Sequence, residues 1–117
     1  MAKDSLKALQ QMVTHFRDTR DWKQFHNPKD MALSLVLEAG EVMEHFQWKS
    51  HLEMQEHLKR RKTDISDELA DVLYWILLMG NDFDIDLPKA LATKLKKNGK
   101  KYPVKKSKGK YTKYTEL

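Results

Sequence analysis

Four carboxylates set into two apolar runs are the residues of this sequence best placed to do chemistry. The run Leu33 to Phe46, LSLVLEAGEVMEHF, holds Glu38 and Glu41, and the run Ile65 to Met79, ISDELADVLYWILLM, holds Glu68 and Asp71. A step of three residues on a helix sets side chains roughly 60° apart, so each pair shares one face. Met31, Leu35 and Val42 fall in the sector around Glu38, and Ile65, Val72, Trp75 and Met79 fall around Glu68, which predicts that both pairs face inward. Carboxylates in a core need a partner, because an unpaired buried charge is costly unless it is neutralised. Ion pairing is poorly supplied: residues 30 to 48 hold no lysine or arginine and only His45, and residues 63 to 88 hold no basic residue. A divalent cation is the expected partner.

Two metal chemistries compete. Di-iron bundles place a Glu-x-x-His pair on each of two helices. His45 stands four after Glu41 and one after Glu44, which does not fit. An all-oxygen magnesium site fits better, with manganese as a substitute, and its usual work is to hold a polyphosphate and activate water for attack on phosphorus.

The elements that must position these acids read as helices. Ser5 can cap a first helix ending near Arg20, with Leu6, Leu9, Met12, Val13 and Phe16 as its stripe. Asp21 to His26 has no sustained period and reads as a loop or short turn carrying Trp22, Phe25 and His26, of the kind that lines sites or closes a core. Asn27-Pro28 starts a second helix reaching about Phe46. Residues 50 to 61 have only a weak apolar face and read as a short helix or a loop. Thr63 or Asp64 can cap a third helix extending to about Asn81 or Asp82, apolar nearly all round, which points to burial in an oligomer. Asp86-Leu87-Pro88 starts a fourth that is expected to stop near Asn98-Gly99. No long period-two alternation predicts a strand, so the expected class is all-α, a four-helix bundle-like arrangement completed by a partner subunit.

At 117 residues the chain is expected to be a single domain over 1–117. It has no cysteine, which excludes disulfides and thiolate metal sites. The start MAKDSLKALQQMVTHF reads as neither a signal peptide nor a membrane span, so a cytoplasmic setting is expected. The net charge of +5 is uneven: residues 94 to 117 hold ten lysines and one acid, leaving residues 1 to 93 at −4. Residues 100–117 read as a basic, largely irregular tail. The basic end suggests an anionic partner, or simply a solvated surface. A nucleic-acid-binding module using that tail, or a helical scaffold without catalysis, is the alternative reading.

The segments DWKQFHNPKDMALSLVLEAGEVMEHFQW, ELADVLYWILLM, KLKKNGKKYPV and the terminal KYTEL, in that order, resemble the MazG-type all-α nucleoside triphosphate pyrophosphohydrolases, and most closely their dCTP pyrophosphatase branch. The resemblance runs from about Leu9 to the end, with only residues 50 to 62 undistinguished. It implies hydrolysis of a nucleoside triphosphate to monophosphate and pyrophosphate, for nucleotide-pool balancing or house-cleaning. The implied magnesium ligands are Glu38, Glu41, Glu68 and Asp71. It also implies a homotetramer, a dimer of dimers with sites at subunit interfaces. By position, Trp22 and Trp48 would enclose the base and Asn98 would contact the nucleotide. Lys94, Lys101 and Tyr102 would serve the phosphates or the pocket wall. Two positions depart from the branch: Val13 stands where the animal members have histidine, and Trp75 where they have tyrosine, both bordering base or sugar.

Stacking on tryptophan tolerates any base, so choice among bases needs hydrogen bonds to the base edge, from backbone groups or from His26 and Gln47. Glu41 is the preferred residue to position or deprotonate the attacking water, with Glu44 second. Glu44 lies another roughly 60° from the apolar stripe, where a solvated role is more natural.

Overall fold

The computed structural model describes residues 5–117, and every regular element among them is helical. Helix α1 spans Leu6–Asp18, and the Ser5 side chain accepts from the Ala8 N–H at 3.1 Å. After it, Lys23–Phe25 forms a single 3₁₀ turn. Helix α2, Pro28–Glu44, starts as the sequence predicts: Asn27 accepts from the Asp30 N–H at 2.9 Å, with proline at the first helical position. Helix α4, Lys62–Asp82, begins earlier than expected, and neither Thr63 nor Asp64 caps it. Asp64 is instead paired with Arg61, a contact that a sequence pattern of capping residues does not foresee.

Three expectations about the elements change. Residues 50 to 61, left open between helix and loop, form helix α3, His51–Arg60, opened by a reciprocal capping box between Ser50 and Glu53. Helix α5, Leu87–Lys101, runs through Asn98-Gly99 instead of stopping there. Glycine ends a helix by taking positive φ, and Gly99 does not do so. The stop comes at Tyr102-Pro103, where proline disfavours a helical residue before it. The tail adds a one-turn helix α6, Val104–Ser107, and a 3₁₀ turn at Tyr114–Glu116. The described residues therefore form six α-helices, the four expected ones with α3 and the one-turn α6 added.

The chain groups into two units, one up to Asp84 and one over Ile85–Leu117. In the first, α2 packs along α4, α1 lies on α4, and α3 touches α4 more lightly. Among the described residues, Met31, Ile65, Leu77 and Leu78 are its buried large apolar side chains, Met31 and Leu78 fully so. Arg17 is equally enclosed: its guanidinium donates to Asp82 at 2.6 Å and to Asp18 at 3.0 Å, pinning α1 to the end of α4. Gln10 adds a bond to the Leu77 carbonyl at 3.2 Å. Four enclosed apolar residues are a thin core for so much apolar sequence. Leu33, Val36, Leu37 and Met43 of α2, and Leu69, Leu73 and Ile76 of α4, remain exposed. In the second unit, the Tyr102 and Tyr114 rings meet edge to face at 5.8 Å, and the Lys101 ammonium sits 4.7 Å from the Tyr114 ring centre.

Candidate active site

The packing of α2 along α4 brings the four expected acids to one place. Glu38, Glu41, Glu68 and Asp71 each offer a carboxylate oxygen, and these oxygens lie within 4.8 Å of one another. The inward expectation holds for half of them: Glu38 and Glu68 are half-buried, whereas Glu41 and Asp71 are exposed on the open side. Three-residue spacing puts the second acid of each pair at the margin of the buried stripe, which explains the split. One oxygen of each of Glu38 and Glu68, Oε2, is buried and has no hydrogen-bond partner.

The electrostatic consequence is a site that resists full ionisation. Glu68 is pushed up to about 7, first by a hydrogen bond with Glu41, then by burial and the charges of Glu41, Asp71 and Glu38. Glu38 is raised by burial first, then by its hydrogen bond with Glu41 and by the charges of Asp71 and Glu41. Among the described residues no salt bridge reaches the group. Crowded acids with orphaned inner oxygens suit an oxygen-preferring divalent cation, which satisfies the lone pairs and removes the repulsion together.

A pH dependence follows. Below Glu68's ordinary 4.5 the carboxyl is protonated in both folded and unfolded chains. Between that and about 7 the unfolded chain ionises while the folded one resists. Melting temperatures in chelator should therefore fall as pH rises from 4.5 to 7 and then level. Glu68→Gln should flatten that fall, and identical slopes for the two proteins would refute the assignment.

Beside the acids opens a pocket of about 640 Å³ whose lining includes both Glu38 and Asp71. Its other walls are Met12, Val13 and Phe16 from α1, Trp22 and His26 from the turn after it, and Tyr74 and Trp75 from α4. The aromatic rings brace each other edge-on. Phe16 meets Trp22 at 5.9 Å and Tyr74 at 6.2 Å, Tyr74 meets Trp75 at 5.3 Å, and His26 tilts against Trp75 at 5.1 Å. The Arg20 guanidinium covers the Phe16 ring at 3.7 Å. The His26 Nδ1 is buried without a partner, and burial, then Arg17, holds its imidazole below its usual range, favouring the neutral form.

Trp22, His26 and Trp75 are thus assembled with the acids, while Trp48 is not. Trp48 lies in the link between α2 and α3, is 92% exposed, and does not line the pocket. Gln47 and Glu44 are also exposed and outside it. Lys94, Asn98 and Lys101 lie on α5, with Tyr102 at its end, all in the second unit. Sequence reasoning missed Phe16 and Tyr74 as pocket walls. The available signal was Tyr74 three residues after Asp71, which puts both on one face.

Comparison with known proteins gives concordant results. The MazG-like family matches residues 33–117. The chain is 37% identical to dCTP pyrophosphatase 1 of Rattus norvegicus and 36% identical to that of Homo sapiens, over 97% of this chain and 68% of each relative. A crystal structure of a pyrophosphatase from Archaeoglobus fulgidus superposes with a TM-score of 0.79 at 38% identity, covering 84% of this chain and 92% of that one.

Proposed function

This chain belongs to the MazG-like family, and on that footing we propose that it hydrolyses deoxynucleoside triphosphates, dCTP or related and modified forms among them, to the monophosphate and pyrophosphate. The observation that carries the proposal is the four-carboxylate cluster opening onto an aromatic-walled pocket. One end suits a cation with its polyphosphate and the other suits a planar base.

Glu38, Glu41, Glu68 and Asp71 would hold magnesium, which when bound offsets the charge of the triphosphate and favours attack of water on phosphorus. The exposed Glu41 remains the preferred residue to orient the attacking water and take its proton, since it reaches the open side of the cluster. Trp22 offers an edge of the pocket to the base, and His26 offers an unpaired ring nitrogen for its polar edge. Trp75 supports the His26 ring at 5.1 Å. Nucleotide contacts by Lys94, Asn98, Lys101 and Tyr102 belong to the same proposal, on the strength of the family pattern.

Assembly into a homotetramer, a dimer of dimers, is also proposed. Support comes from α2, where Leu33, Val36, Leu37 and Met43 form an exposed stripe around Gly40, above which a side chain would meet open space. Such a stripe suits close approach of another helix. In that assembly Trp48 would complete the pocket of a neighbouring copy. Among the described residues no helix is long and apolar enough to cross a membrane, and a cytoplasmic enzyme is the reading that fits.

The test is a panel of common and modified nucleoside triphosphates with magnesium, scored for pyrophosphate and for the monophosphate formed. Release of pyrophosphate from dCTP or its relatives is expected, and silence across the panel would overturn the proposal. Within it, Trp22→Ala should raise KM on the order of tenfold, with a smaller effect on kcat, because base stacking is worth about 1 to 3 kcal/mol. An unchanged KM would remove Trp22 from the base site.

A further inference from the structure

The link between α2 and α3 holds a bulky residue in an unfavourable conformation. Trp48 sits at φ 67°, a region that a large side chain adopts only when its surroundings impose it. Two devices bracket it. On the far side, the Ser50–Glu53 capping box fixes the start of α3. On the near side, His45 at the end of α2 meets His57 of α3, with Nδ1 of the first 2.8 Å from Nε2 of the second. The rings lie 5.1 Å apart at 44°, and the Phe46 ring packs edge-on against His57 at 6.1 Å.

We propose that the His45–His57 pair is a pH-sensitive latch that holds α3 to the end of α2 and keeps the Trp48 link in its strained, ordered form. One imidazole must present an N–H and the other a lone pair across the 2.8 Å gap. A pair carrying one extra proton can still make that bond. A pair carrying two presents N–H to N–H, so the bond is lost and two positive charges face each other.

The surroundings favour opening in acid. Lys49 from the link and Arg60 and Arg61 from the end of α3 all bear on His57 as like charges. Of the acids on these elements, Glu53 caps Ser50, Asp64 at the start of α4 is paired with Arg61, and Glu41, one turn before His45, belongs to the carboxylate cluster. Glu44 and Glu56, next in sequence to the two rings, are exposed, and the charges that bear on His57 are all positive. His57 is accordingly held below its usual range, by burial first and then by Lys49, His45, Arg60 and Arg61. For a histidine lowered in the folded state, the unfolded or opened form takes the proton first. The closed latch is therefore fully stable above about 6.5 and weakens as pH falls through that value.

The rest of α3's attachment is light: Leu52 and Leu58 of its apolar face are 65% and 46% exposed, Met54 is half-buried, and the helix touches α4 less than α1 or α2 does. The experiment is amide hydrogen exchange on the full chain at several pH values, corrected for intrinsic rates, with ¹⁵N shifts of both imidazoles recorded in parallel. In the natural protein, protection across residues 46–60 should drop by up to about tenfold per pH unit below about 6.5, as the bond between the rings is lost. His57→Phe keeps a ring against Phe46 but cannot titrate. In it, protection should be low and independent of pH, with α2 and α4 unchanged. His45→Asn, a second variant that removes the other ring, should give the same flat profile. Unchanged protection of residues 46–60 in the natural protein between pH 7.5 and 5.5, or a pH-dependent loss that persists in both variants, would overturn the latch.

Discussion

Replacing Glu38 and Glu68 together by glutamine is expected to raise the melting temperature of the metal-free protein while cutting pyrophosphate release by about 10²-fold or more. The first effect follows from electrostatics alone. Both side chains carry a buried oxygen without a partner, both are raised by burial and by the neighbouring acids, and glutamine keeps their shape without the charge. The second follows from the proposed chemistry, in which losing ligands for the cation forfeits several kcal/mol of transition-state stabilisation. The second effect separates the readings. If the acids were structural, the variant would keep its pyrophosphate release while its stability stayed level or rose, so the loss of activity is what decides. Thermal shifts with added magnesium complete the test: the natural protein should gain stability by binding, and the variant should gain much less.

The second large effect concerns Arg17, which no reading of the acidic motifs singles out. Its side chain is 1% exposed and bonded to Asp82, itself 13% exposed. Burial pushes Asp82 up, yet the hydrogen bonds from Arg17 and Asn81 and the Arg17 charge outweigh it and hold the carboxyl below its usual range. Arg17→Met would leave that carboxylate enclosed without its counter-charge, and breaking such a pair costs about 3 to 5 kcal/mol. For a chain of this size that is a drop of roughly 10 °C or more in melting temperature. Asp18→Ala, which removes the exposed partner, should cost under about 1 kcal/mol. Arg17→Met combined with Asp82→Leu should recover much of the loss, because an apolar pair of similar volume avoids the desolvation penalty. Comparable losses for Asp18→Ala and Arg17→Met would contradict the assignment. Since α1 supplies Met12, Val13 and Phe16 to the pocket, the single Arg17 variant should also bind nucleotide more weakly.

Periodicity and caps were strong signals wherever they acted locally. The starts at Ser5, Asn27-Pro28 and Asp86 are set by side chains bonding to backbone three residues away, so they can be read along the chain. The end of α5 was harder, because a glycine permits positive φ without requiring it, and the proline four residues later was the stronger constraint. Helix α3 was ambiguous because its apolar face is weak and its stability rests on the capping box and the histidine pair.

By itself the sequence determined the all-helical class, the two helices that carry the acids, and the placement of Glu38 with Glu41 and of Glu68 with Asp71 on shared faces, since helical spacing is a local property. Tertiary structure alone decided which oxygens are buried and unpaired, that both pairs converge within 4.8 Å, and that Phe16, Trp22, His26, Tyr74 and Trp75 close one pocket beside them. It also placed Arg17 against Asp82 across 65 residues of chain and left Trp48 outside the pocket. These are contacts between elements far apart in sequence, and the angle and register at which helices pack set them.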